Sequence, residues 1–214
     1  MKKISVILSI LLLSTVTYAQ SDANASKLLK AVSQKYNAYK TMSMDISLAI
    51  ENRESKTKEE RKGKVLVKGN KFNVSLDNQL ILCDAKSTWV YLKDANEVQI
   101  NTFDPKDQWP TPDRVLKIAD KDFTSYMGEK ITENGKTLQI IELVPNDKNV
   151  AYSKIKLYIN TADNTIVRGV MLDKNAMTYT YTIANFKGNG EISDANFTFD
   201  KSKYPGVEVI DLRE

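Results

Sequence analysis

The chain contains no histidine. That removes the commonest general base at neutral pH, the commonest zinc ligand and every nucleophile relay built on imidazole. Glycine is scarce, with 8 residues in 214, and none of them builds a phosphate-cradling loop. The single cysteine, Cys83, excludes an intramolecular disulfide. It ends the apolar run Leu80-Ile81-Leu82 and reads as a small buried hydrophobe rather than a reactive thiol. The formal net charge is only +4 with both signs interspersed, so no basic block offers nucleic acid a surface. Asp84, Asp94, Asp104 and Asp107 lie in or beside turns, where a short carboxylate serves backbone N–H groups. Asp94-Ala95-Asn96 lacks the glycine and glutamate that complete a calcium loop. Catalysis, a metal and a cofactor are all expected to be absent.

Long apolar runs are missing as well, except at the start. Lys2 and Lys3 precede an almost wholly apolar stretch, residues 4–16, and Thr17-Tyr18-Ala19 supplies small residues where a signal peptidase reads. Residues 1–19 are expected to be a cleaved signal peptide, with the cut between Ala19 and Gln20. The run is too short to span a bilayer. No cysteine follows the cut, so the mature protein is not expected to carry its own lipid anchor. Residues 20–214 are expected to form one domain, a monomer in the periplasm, a compartment that suits a secreted chain without disulfides.

What is present is pattern. Residues 22–40 read as a helix capped by Asp22, with Ala25, Leu28, Leu29, Val32, Tyr36 and Tyr39 on one face. From Thr41 the period drops to two, and Met42, Met44, Ile46, Leu48 and Ile50 mark a strand with one apolar face. Strands GKVLVKG, KFNVSL, QLILCD, TWVYL and EVQIN follow, then TLQIIELV, SKIKLYIN, TIVRGVML, MTYTYTIANF and NFTF, all separated by turn residues. Connections of hairpin length imply one antiparallel meander with no parallel crossover. Between the two series, residues 103–113 hold three of the five prolines. Thr111 and Pro112 there start a second helical element bearing Val115, Leu116, Ile118 and Ala119. The fold class is mainly β: an incomplete antiparallel barrel, or strongly curved sheet, whose concave face needs a helical cover. Periodicity alone does not distinguish a filled core beneath that cover from a cavity.

Particular strings sharpen the reading. QLILCDAKSTWVYLKDANEVQI resembles the LolA pattern of an apolar strand, an Asp-Gly turn, a Trp-x-Tyr strand and a Gln-Val strand, with Asp84, Trp89, Tyr91 and Val98 at matching positions. TPDRVL resembles that family's lid-helix start, LQIIELVPND its later strand ending in proline, and FTFDKSKYPGVEVID its closing signature. The resemblance covers essentially the whole mature chain. It implies a helical lid over a hydrophobic cavity, and a periplasmic carrier that takes acylated lipoproteins from an inner-membrane ABC transporter to an outer-membrane acceptor. Two positions depart from the pattern. The family's Arg-Pro pair is replaced in Val67-Lys68-Gly69-Asn70-Lys71, where Lys68 is the cation available for the arginine's role, and the Asp-Gly turn is Asp84-Ala85.

The resemblance and the alternation together place acyl chains against Met44, Ile46, Phe72, Val74, Trp89, Tyr91 and Val98, beneath lid residues Leu29, Val32, Tyr36 and Leu116. Each buried methylene would stabilise such a complex by about 0.8 kcal/mol without any catalytic group. Two alternatives use the same scaffold: a carrier of another lipid or glycolipid, and an envelope sensor domain for mislocalised lipoproteins.

Overall fold

The computed structural model describes residues 22–104 and 122–213. The expected signal peptide, the proline-rich segment with Trp109, and the second helical element with Leu116 lie outside the described residues.

The one helix described, α1 (Ala23–Asn37), begins where its cap predicts. The Asp22 carboxylate accepts from the Asn24 and Ala25 N–H groups at 2.7 and 3.2 Å, satisfying donors that the first turn leaves free. Twelve strands follow: β1 (Thr41–Asn52), β2 (Lys58–Lys68), β3 (Lys71–Leu76), β4 (Gln79–Cys83), β5 (Ser87–Leu92), β6 (Glu97–Thr102), β7 (Phe123–Glu133), β8 (Lys136–Pro145), β9 (Tyr152–Asn160), β10 (Thr165–Asp173), β11 (Met177–Gly188) and β12 (Glu208–Asp211). They form one open, curled sheet in the order β12-β6-β5-β4-β3-β2-β1-β11-β10-β9-β8-β7. Two hairpin series, β1 to β6 and β7 to β11, are thus joined at the pairing of β1 with β11. Bulges at Ser43/Asp45, at Ile166/Arg168 and at Met127/Lys130 bend the strands they interrupt.

Three expectations are corrected. β12 pairs with β6 in parallel, so the sheet is not purely antiparallel. The string NFTF is not a strand: residues Asp194–Phe197 form a 3-10 turn, begun by the Ser193 hydroxyl accepting from the Ala195 N–H. The eleven-residue β7 has no counterpart among the expected strands. Its alternation is interrupted by a bulge, which the neighbouring strand repairs: the fully paired Gln139 amide donates to the Gly128, Glu129 and Ile140 carbonyls.

The turn at Asp84-Ala85 shows why the pattern it resembles carries glycine there. Ala85 sits at φ 75°, in the left-handed region, while the Asp84 carboxylate accepts from the Lys86 and Ser87 N–H groups at 2.8 Å each.

Candidate functional site

Period-two alternation divides each strand into two sets, and the pairing register carries one set across the whole sheet. On the concave side Met42, Met44 and Ile46 of β1 lie opposite Val67, Val65 and Gly63 of β2. Val67 and Val65 lie opposite Phe72 and Val74 of β3, and those opposite Cys83 and Ile81 of β4. In the other direction Ile46 faces Ile183 of β11, and Met171, Ile155 and Leu143 continue the same face across β10, β9 and β8.

α1 covers only part of this face. Its buried residues Ala25, Leu29, Val32 and Tyr36 pack into one cluster with Met42, Met44, Val65, Phe72, Ile141, Leu157 and Ile159. Its N-terminus is tied to β7 by the Asp22 N–H donating to the Ser125 carbonyl at 2.8 Å and by the Ser26–Ser125 hydroxyl contact at 3.2 Å. At the other end the Ile166 N–H donates to the Tyr36 hydroxyl at 3.0 Å, and burial pushes that phenol up to about 12. Tyr36, Tyr39 and Phe186 pack edge to face, and Tyr39 fits only because Gly188 has no side chain, a Cβ there lying 2.2 Å from the ring. Beyond the helix the concave face is only half-buried: Ile46, Val74, Ile81, Met171 and Ile183 border the cluster. Tyr179 and Tyr181 extend the same face beyond Ile183, paired with Ile50 and Leu48.

Seven of the eleven residues expected at the site therefore come together. Leu29, Val32, Tyr36, Met44 and Phe72 are buried between helix and sheet, and Ile46 and Val74 stand at its edge. Leu116 lies outside the described residues. Trp89, Tyr91 and Val98 are elsewhere, and their expected inward parity is corrected. Leu82 pairs with Trp89 and Trp89 with Ile100; Leu80 pairs with Tyr91 and Tyr91 with Val98. Because Ile81 and Cys83 point to the concave side, these residues point to the convex side. Thr88, Val90, Gln99 and Asn101 occupy the concave positions instead. The two-residue turn Asp77-Asn78 fixes the β3–β4 register, so the parity is available in the sequence to a reader who follows Val74 across the hairpin.

The convex apolar set has its own cover. A strap, residues 194–211, crosses the outer face of β3 to β6 and then pairs along β6. Phe199, Tyr204 and Val207 pack with Leu80, Trp89, Tyr91 and Val98, and Phe197 beside them is fully buried. Tyr204 stacks on Phe199 at 4.7 Å and meets Tyr91 at 4.5 Å. The Tyr91 hydroxyl donates to the Asn96 side chain at 3.0 Å, whose amide donates to the Pro205 carbonyl at 3.2 Å. Lys68 belongs to the strap as well. Its ammonium donates to the Ile192 carbonyl at 3.2 Å and pairs with Asp194 at 3.0 Å, which also meets Lys71. That arrangement assigns Lys68 to the crossover rather than to a lid.

A groove of about 990 Å³ runs along this crossover, lined by Ala38, Lys40, Thr41, Lys68 and residues 189–193. Its polar groups already serve one another: the Lys40 N–H donates to Asn189 at 2.8 Å and the Thr41 hydroxyl to the Gly190 carbonyl at 2.6 Å. Among the described residues no cluster of Cys, Asp or Glu is set to hold a metal, and no helix is long and apolar enough to cross a membrane.

Comparison with known proteins agrees with the resemblance read from the sequence. Residues 37–200 match the family described as outer membrane lipoprotein carrier protein LolA. An uncharacterised protein of Methanocaldococcus jannaschii is 28% identical over 199 residues, covering 90% of this chain and 57% of that relative, so the chain spans little more than half of its length. An uncharacterised conserved protein from Thermus thermophilus superposes with a TM-score of 0.58 at 15% identity, over 88% of this chain and 99% of that one. A DUF1329 family protein from Desulfovibrio piger superposes with a TM-score of 0.50 at 13% identity, over 86% and 99%. At such identities the two structures speak for the fold alone.

Proposed function

This chain belongs to the LolA family of outer membrane lipoprotein carriers, and on that footing we propose that it is a non-enzymatic periplasmic carrier of acyl chains. In this reading residues 1–19 direct export and are removed, and residues 20–214 act as a single monomeric domain. The cargo is the acylated end of a lipoprotein, received from an inner-membrane ABC transporter and passed to an outer-membrane acceptor.

The observation that carries the reading is the half-covered concave face. A sheet that ended its design at a packed core would cover its apolar residues, as the strap does on the convex side. Here Ile46, Val74, Ile81, Met171 and Ile183 are left half-buried beside α1. An acyl chain laid along that strip gains apolar burial without directional bonds, and binding of this kind is reversible when a second apolar acceptor competes. Leu29, Val32, Tyr36, Met44 and Phe72 then line the closed end of the strip, beneath the helix.

One observation favours the second reading, carriage of another lipid or glycolipid. Lys68, the cation standing near the missing Arg-Pro pair, is bound to Ile192 and Asp194. Lys68 is therefore engaged at the crossover and does not take the role that the resemblance gives to the arginine. Native mass spectrometry of the mature protein purified from its own envelope, with identification of bound lipid, separates the readings. A triacylated peptide is the result expected for a lipoprotein carrier. A different lipid moves the assignment to the second reading, and a protein that is empty and takes up no acyl probe overturns both.

A further inference from the structure

Four glycines interrupt strands whose neighbours are large, and three have a visible reason. A Cβ on Gly63 would lie 2.1 Å from the Ser75 carbonyl oxygen, one on Gly188 would lie 2.2 Å from the Tyr39 ring, and one on Gly128 would press on Ile140 at 3.2 Å. In each case another part of the chain occupies the space. Gly169 is different. It is buried, in the middle of β10 on the concave face, directly between Leu157 of β9 and Tyr181 of β11. Yet among the described residues a Cβ built there would meet only Leu157 Cδ2, at an ordinary 3.8 Å. A glycine in a strand interior costs backbone entropy and forfeits packing; it accompanies bulges, such as the one at Ile166/Arg168 just before it, and sites where a ligand or another backbone approaches closely. Here nothing described in the chain does.

Tyr181 borders the same gap, and Tyr179 follows it on the same face. Neither hydroxyl hydrogen-bonds to another described residue; Tyr181 is half-buried, and burial raises its phenol above the ordinary value, with Tyr179 adding to the effect. A half-buried phenol with no partner among the described residues has its donor free for an acceptor on a bound ligand. Its surroundings are apolar: Leu48 and Ile50 stand opposite on β1, and Met171 follows Gly169 on β10.

We propose that Gly169 is the point where a bound acyl chain crosses the sheet, and that Tyr181, assisted by Tyr179, donates a hydrogen bond to the carbonyl oxygen of its ester or amide linkage. The assignment rests on the carrier reading above and adds to it the direction of the cargo, with the carbonyl end at β11 and the hydrocarbon running over β10. It also separates acyl cargo from plain alkyl chains of equal length, which fill the gap but leave both hydroxyls without an acceptor.

The test uses the mature chain and two fluorescent probes that differ in one group, a hexadecanoyl ester and the corresponding hexadecyl ether. Wild-type protein is expected to bind the ester about fivefold more tightly, the size of one ordinary hydrogen bond. Tyr181→Phe should abolish that preference while leaving ether affinity unchanged. Gly169→Leu, which fills the gap, should weaken both probes about tenfold or more, with circular dichroism unchanged. If that variant fails to fold, Gly169→Ala carries the test, with about threefold weaker binding of both probes expected. Unchanged binding by the folded Gly169 variant overturns the crossing point, and an ester preference that survives in both Tyr181→Phe and Tyr179→Phe overturns the carbonyl contact. A wild-type protein that binds neither probe refutes the carrier reading itself, a result distinct from loss of the subsite alone.

Discussion

The cluster beneath α1 and the cluster beneath the C-terminal strap share β4 as a common wall. Ile81 and Cys83 face one, Leu80 and Leu82 the other. The outer cluster is closed by the chain itself: aromatic rings from the strap fill the space over Tyr91, and hydrogen bonds through Asn96 pin the strap in place. Among the described residues the inner cluster is closed only under the helix, and its margin is left half-buried. The difference teaches that apolar surface on a sheet does not by itself mark a binding site. What marks one is apolar surface that the described chain leaves partly open.

The largest expected effect loosens the strap alone. Phe197→Ala removes a fully buried ring and should cost about 3–5 kcal/mol of stability, read from urea denaturation. Acyl-probe affinity of the folded fraction should not change; a parallel loss of affinity would mean that the two faces are coupled.

Next in size is the anchor of the inner cover. The Tyr36 phenol titrates near 10 in the unfolded chain and about 12 in the fold, where desolvation by burial holds the proton on. Its contribution is complete below pH 10 and is lost as pH rises through 12, on the order of 3 kcal/mol. Stability measured from pH 9 to 12.5 should fall accordingly, and Tyr36→Phe should lack that part of the fall. An identical alkaline slope in the variant would assign the loss to other groups.

Val74→Glu places a carboxylate on the half-buried margin. Acyl-probe affinity should drop about tenfold, equivalent to about 1.4 kcal/mol, while the thermal midpoint moves little, since the site reaches water. The same change at Leu82, on the buried convex side, should instead impair folding. Asp22→Ala removes the cap of α1 and should cost about 1 kcal/mol in a thermal or chemical melt. Smallest of all, Ala85→Gly relieves a left-handed alanine and should raise stability by less than about 1 kcal/mol. A loss there would show that the turn tolerates its alanine without strain.

Much of this is legible in the residues because it is local. Asp22 and the apolar stripe of α1 specify a helix through capping and a 3.6-residue period. The alternation from Met42 to Ile50 specifies β1, and the turn residues between short apolar runs specify most hairpins. β7 is hidden because its bulge near Gly128 breaks the alternation on which strand reading depends. NFTF misleads because Phe197 and Phe199 alternate like strand residues, although Phe199 packs on the convex face of β4 to β6 and the turn holding Phe197 lies against β3 and β4. The expectation that Trp89, Tyr91 and Val98 point inward follows from alternation and from the resemblance. Alternation separates the two sets of a strand without saying which faces the core.

The sequence by itself determined the absence of imidazole chemistry, the helix and its cap, most of the strand series and the family. All of these depend on residue identity and short-range period. Only the tertiary structure decided which face of β4 to β6 is inside, that the last strand pairs in parallel with β6, that Lys68 holds the strap, and that the helix leaves part of the concave face uncovered. Parity, long-range pairing and coverage depend on which distant segments compete to bury the same apolar surface. That competition is settled by packing across the whole chain rather than by any local pattern.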